Sequence, residues 1–114
     1  MDYKIKSRIW IEADGHILLG EGRVTLLKAI KENGSLSKAA KSLGMSYKKA
    51  WSLVDALNKR GESMIVTTSI GGKGGGGTTI TSYGLSLIDA FDRIKSNCWD
   101  YLDDQISNTD LNVS

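Results

Sequence analysis

Hydrophobic and polar residues alternate from Tyr3 to Glu12, "YKIKSRIWIE". Ile5, Ser7, Ile9 and Ile11 share one face, and Lys4, Lys6, Arg8, Trp10 and Glu12 share the other. A period of two predicts a half-buried strand, and "ADGH" after it is a turn signal. The period then changes. From about Gly22 to Asn33, Leu26, Leu27 and Ile30 fall at helical spacing, and Gly34 supplies a stop. Ser35 caps a short second helix carrying Leu36, Ala39, Ala40 and Leu43 inward, and Gly44 ends it. Ser46 caps a third, "YKKAWSLVDALNKR", with an expected buried stripe of Ala50, Trp51, Val54 and Leu57 and a stop at Gly61. The β-branched run "SMIVTTSI", a glycine tract and "TTIT" follow. A last helix from near Ser82 to about Leu102 aligns Leu85, Ile88, Phe91, Ile94 and Cys98.

The expected order is therefore β-α-α-α-β-loop-β-α, an α+β arrangement. No linker is long enough to split 114 residues into two domains. Residues 1–105 form the domain and 106–114 a polar tail.

Two short helices joined by "LGMS" have the shape of a helix-turn-helix. Gly44 permits a positive-φ turn, and Ala39 and Ala40 let the first helix approach the second closely. The second helix then protrudes, and its first turn offers free N–H groups that favour anions. Ser46, Tyr47, Lys48, Lys49 and Ser52 would present a phenol, hydroxyls and cations, a set suited to phosphates and base edges. Ser35, Ser37 and Lys38 at the start of the preceding helix are assigned to the same contact surface. A strand pair behind these helices turns the pattern into a winged helix. The wing tip is then Gly71 to Gly77, six glycines and Lys73. Gly72, Lys73 and Gly74 are the expected phosphate contacts there.

Charge distribution agrees. The net charge is only +2, but Ser35–Gly77 holds seven cations against Asp55 and Glu62, while Ser96 onward holds only Asp100, Asp103, Asp104 and Asp110. A basic middle facing a polyanion and an acidic end facing elsewhere is the expectation.

Other chemistries fit poorly. Gly72, Gly74 and Gly77 have the GxGxxG spacing, yet a β-prone run follows where a dinucleotide site needs a helix. A phosphate-binding Walker loop fails because position 67 is Thr and position 74 is Gly. His16 has no ligand partner at useful spacing, so no metal is expected, and no cofactor. Asp100, Asp103 and Asp104 sit at a helix end and are assigned to solvent. Nucleophile, base and oxyanion donors do not come together, so the chain is not expected to be an enzyme. The single Cys98 excludes an internal disulfide and fits a reducing, cytoplasmic setting; it is expected in the core or at an interface. No apolar run approaches the roughly 18 residues of a membrane span.

"GSLSKAAKSLGMSYKKAW" and "GGKGGGGTTITSYGLSLI" together resemble the N-terminal DNA-binding domain of the molybdate-responsive transcriptional regulator (ModE) family. The resemblance runs from about Gly22 to Phe91. Its helix-turn-helix part is shared with LysR-type regulators. The more specific part is the glycine run followed by Thr81, Gly84, Leu87 and Ile88. The resemblance implies a prokaryotic winged-helix regulator that binds double-stranded DNA as a two-fold dimer. Ser46, Tyr47 and Lys48 would lie in its recognition-helix motif and Gly71–Gly77 in its wing. Such regulators usually continue into molybdate- or tungstate-binding domains. This chain looks like a stand-alone module, and no residue in it is assigned to oxyanion sensing. Dimerisation is expected through the first strand and the last helix, with Trp10, Leu87, Ile94 and Trp99 at the interface. Two other readings stay open: a winged-helix protein-interaction module without DNA contact, and an oxyanion-binding domain that uses the glycine wing alone.

Overall fold

The structure is a computed structural model that describes residues 2–69 and 77–112. Its first element is a hairpin. Strand β1 (Trp10–Ala13) pairs antiparallel with β2 (His16–Gly20), with a bulge between Ile11 and Glu12. Asp14 and Gly15 link them with φ of 52° and 80°. That is the geometry a two-residue turn needs to match the twist of its strands, and Asp-Gly is a preferred pair for it.

This corrects the sequence reading twice. The strand begins at Trp10 rather than Tyr3, and "HILLG" after the turn is a second strand that the sequence reading did not anticipate. The alternation holds from Ser7 to Ala13, where Ser7, Ile9, Ile11 and Ala13 are half-buried and the residues between them exposed, but Ile5, assigned to the same face, is exposed.

Helices α1 (Glu21–Asn33), α2 (Leu36–Ser42) and α3 (Tyr47–Arg60) follow. Strands β3 (Val66–Thr68) and β4 (Thr78–Ile80) pair antiparallel, Val66 opposite Ile80 and Thr68 opposite Thr78. Helix α4 runs Ser82–Ser107, five residues past its expected end and into the segment assigned to a polar tail.

The core is one cluster. Leu19, Leu26, Leu27, Ile30, Leu57, Ile65, Val66 and Phe91 are its largest fully buried members, drawn from both hairpins and from α1, α3 and α4. Burial at this density, roughly 1.5–3 kcal/mol per large apolar side chain, holds the helices at fixed angles. Polar clasps then set the second hairpin. Asn58 on α3 accepts from the N–H groups of Ile65 and Val66 at 2.8 and 3.0 Å and donates to the Val66 carbonyl at 3.0 Å. At the other edge, Thr78 N donates to the Gly34 carbonyl at 3.0 Å, and Leu36 N donates to Thr78 Oγ1 at 3.3 Å.

The Thr81–Gly84 pair has a structural explanation. Thr81 Oγ1 accepts from Gly84 N at 3.0 Å as the cap of α4 and donates to the Met64 carbonyl at 2.7 Å. A Cβ on Gly84 would stand 2.6 Å from the Ile65 carbonyl oxygen, so only glycine lets the first turn of α4 lie on this backbone.

The molecule measures 67 × 29 × 21 Å with a radius of gyration of 17.8 Å, against about 13 Å for a compact domain of this length. The difference comes from α4, whose 26 residues span about 39 Å. Its buried residues are Gly84, Ile88 and Phe91, all in its first half. Two ion pairs extend the attachment, Lys28–Asp92 at 2.8 Å and Lys95–Glu21 at 3.0 Å. Near the far end, Tyr3 Oη donates to Asn112 Oδ1 at 2.8 Å, so the N-terminal segment reaches along the helix.

Candidate nucleic-acid interface

The angle between α2 and α3 is set by small residues and one turn. Ala39 and Ala40 are buried, Gly44 has φ 65°, and Met45 N donates back to the Ala40 carbonyl at 2.9 Å. Both helices start with a capped N-terminus. Ser35 Oγ accepts from Lys38 N at 3.2 Å, and Ser46 Oγ accepts from Lys49 N at 3.1 Å. Each hydroxyl keeps its own proton to donate outward, so the caps fix the helix ends without silencing Ser35 and Ser46.

Helix α3 buries Ala50, Val54 and Leu57 and half-buries Leu53, which is the i, i+3, i+4, i+7 stripe. Trp51 is not part of it. Assigned to the core from sequence, it is 52% exposed, because a step of one residue turns it about 100° from Ala50 onto the flank. There it joins Tyr47, 57% exposed, and the exposed Met64 along a groove between α3 and the second hairpin, with Val54, Asn58 and Thr78 also in its walls. Trp51 is the surface residue that the sequence reading missed. The signal that could have found it is Leu53, which completes the inward stripe and leaves no room for a tryptophan.

Lys48, Lys49 and Ser52 are exposed on α3, and Ser37 and Lys38 on the first turn of α2. Lys48 and Ser52 lie opposite the core stripe, whereas Lys49 turns toward the first hairpin, where it shares a groove with Leu53. Asp55 is neutralised by Lys59 at 2.8 Å, which leaves the outer face cationic at its N-terminal end. Strands β3 and β4 converge where Ser69 N donates to the Gly77 carbonyl at 2.9 Å. Gly72, Lys73 and Gly74 lie outside the described residues.

Of the residues assigned to a dimer interface, Trp10, Ile94 and Trp99 are exposed and Leu87 is half-buried against the core. Cys98 is a half-buried free thiol. Among the described residues, no group of three or more His, Cys, Asp or Glu is placed to hold a metal, and no helix is long and apolar enough to cross a membrane.

No family model matches the chain. Curated relatives do. The chain is 42% identical over 85 residues to the DNA-binding transcriptional dual regulator ModE of Escherichia coli K12, covering 72% of this chain and 32% of that protein. It is 40% identical over 86 residues to the transcriptional regulator ModE of Haemophilus influenzae, covering 73% and 34%. It is 45% identical over 78 residues to the molybdenum-pterin-binding protein MopB of Rhodobacter capsulatus, covering 68% and 29%. The chain thus spans about a third of the length of these relatives. In shape it is similar to a chain in the crystal structure of the S. aureus MepR-DNA complex, with a TM-score of 0.54 and 18% identity over 82% of this chain and 66% of that one. The fold is a winged helix, and by descent this chain is a homologue of the N-terminal third of the ModE regulators.

Proposed function

We propose that this chain is a sequence-specific, double-stranded DNA-binding transcriptional regulator that acts as a homodimer. The observation that carries the reading is α3 itself. It is packed along one side, capped at Ser46, and free on the other side to offer Ser46, Tyr47, Lys48, Trp51 and Ser52. Entry of this end into a major groove would set hydroxyls and cations against phosphates and base edges, and an aromatic flank against thymine methyls or sugars. The first turn of α2, with Ser35, Ser37 and Lys38, would straddle the adjacent backbone, and Lys73 on the wing would reach the next phosphates. The relatives named as DNA-binding regulators support the same reading. Dimerisation through Trp10, Leu87, Ile94 and Trp99 would place two copies of α3 about 34 Å apart and require a near-palindromic site.

The test is selection from a randomised duplex pool, followed by fluorescence anisotropy on the enriched sequence at two salt concentrations. Enrichment of a palindrome with affinity falling steeply in salt is expected. Lys73→Ala should weaken all sequences alike and shallow the salt slope by about one unit, whereas changing Tyr47 should alter sequence preference. No binding at low salt would overturn the reading in favour of a protein-interaction module.

A further inference from the structure

The other flank of α3 carries a second groove, which shares Lys49 with the residues assigned to DNA and Trp10 with those assigned to the dimer interface. Between the first hairpin, the start of α1 and α3 lies an open cavity of about 680 Å³, within the range of small-molecule sites. Its walls are apolar, with Ile9, Trp10 and Ile17 from the hairpin side and Met45 and Leu53 from the helix-turn-helix. Three cations reach it: Arg8, Arg23 and Lys49. The one acid in its lining, Glu21, has its carboxylate on Lys95 at 3.0 Å.

Arg23 is the unusual member. Its Nε is shut off from solvent and has no hydrogen-bond partner among the described residues. Burial, and then the charge of Arg60, both act against its protonated form and lower its pKa. Arg60 brings no relief, since its own guanidinium donates to the Ile17 carbonyl at 2.9 Å. A guanidinium is a planar fork of donors matched to a carboxylate, and among the described residues no carboxylate pairs with this one to offset the burial of its Nε. Inorganic phosphate would satisfy the charge but leave the apolar walls wet.

We propose that this groove binds a small aromatic carboxylic acid, with its carboxylate on Arg23 and its ring against the apolar walls. Lys49, Leu53 and Met45 belong to α3 and the turn before it, so an occupant also bears on the helix assigned to DNA. The acid is therefore an effector, a step that rests on the DNA-binding reading above.

The test separates the two claims. Ligand-observed NMR and calorimetry on the full chain, without DNA, would compare benzoate and phenylacetate with benzamide and phenylacetamide. An acid should bind at least about tenfold more tightly than its matched amide. Arg23→Gln should abolish that difference while keeping the melting temperature and DNA binding, and Arg23→Lys should restore part of it. Equal binding of acid and amide, no binding of either acid, or retention of the preference in Arg23→Gln would overturn the site. So would conversion of a dimer to monomer by Arg23→Gln, because the acidic end of a second copy would then fill the groove. Adding the acid to the protein–duplex complex should change DNA affinity by about fivefold or more. An unchanged affinity would overturn the effector role and leave the site, and absence of DNA binding would leave the ligand comparison intact.

Discussion

Helices α3 and α4 use their apolar residues in opposite ways. The 14 residues of α3 keep an inward stripe from Ala50 to Leu57, which leaves Tyr47, Lys48, Trp51 and Ser52 exposed at its N-terminal half. The 26 residues of α4 keep a comparable stripe, but its burial ends at Phe91. Beyond that, Ile94, Trp99 and Tyr101 stand exposed, at 46%, 45% and 61%. In proteins most of a helix's stability comes from packing an apolar face rather than from intrinsic propensity. A stripe in sequence therefore reports that a helix has a burial partner, and it does not say whether that partner is in the same chain. For α3 the partner is internal. For the outer half of α4 the described residues supply the Lys95–Glu21 ion pair at 3.0 Å and the N-terminal segment at Tyr3, while Lys95 Nζ lies over the Trp99 ring of the same helix at 5.2 Å.

Breaking the two attachments should rank them. Both helices grip the Ile65–Val66 backbone, α3 through Asn58 and α4 through the glycine at its first turn. Asn58→Ala strands two N–H groups and a carbonyl, so we predict a loss of about 3 kcal/mol in denaturant unfolding. Gly84→Ala is the sharper case. In an exposed helix this change would stabilise by about 1 kcal/mol, whereas here the methyl meets a backbone oxygen, and we predict a net loss of about 2 kcal/mol. A gain in melting temperature would show that α4 does not lie on this carbonyl.

Most of the helical frame was legible in the sequence because each helix carries its own punctuation: Gly34, Ser35, Gly44, Ser46 and Thr81 all act where the chain predicts a boundary. The first hairpin was not, because "HILLG" continues without a breaker into a helix whose N-cap is Gly20, with no side-chain cap to mark the change. Asp14-Gly15 was a sufficient signal for the turn, but the strand after it is short. Trp51 was misplaced by composition: a large aromatic next to Ala50 looks like core until Leu53 is counted. The groove at Arg23 was invisible, since Arg8, Arg23 and Lys49 come from three separate segments and only tertiary packing brings them together.

Smaller effects on folding separate surface roles from structural ones. Ile94→Asp together with Trp99→Ser should leave monomer stability within about 1 kcal/mol, since neither side chain belongs to the buried core. Analytical ultracentrifugation should instead show the dimer shifted to monomer, together with weaker binding to a two-half-site duplex. An unchanged sedimentation coefficient at the same concentration would remove α4 from the interface.

Trp51→Ala should disturb the fold least of all, by about 0.5 kcal/mol, because half of the ring is already in water and its loss opens no sealed cavity. Its expected cost appears in DNA binding, where losing an aromatic beside Tyr47 removes apolar contact from the entering flank. The decisive comparison is with Lys48→Ala. A lost cation should weaken every duplex and reduce the salt slope, while a lost tryptophan should leave the slope alone and weaken the selected sequence more than a random one. If Trp51→Ala instead lowers the melting temperature by about 10 °C, the side chain is packed inward as the sequence first suggested. The groove beside Tyr47 would then be closed, and α3 would meet DNA through its polar residues alone.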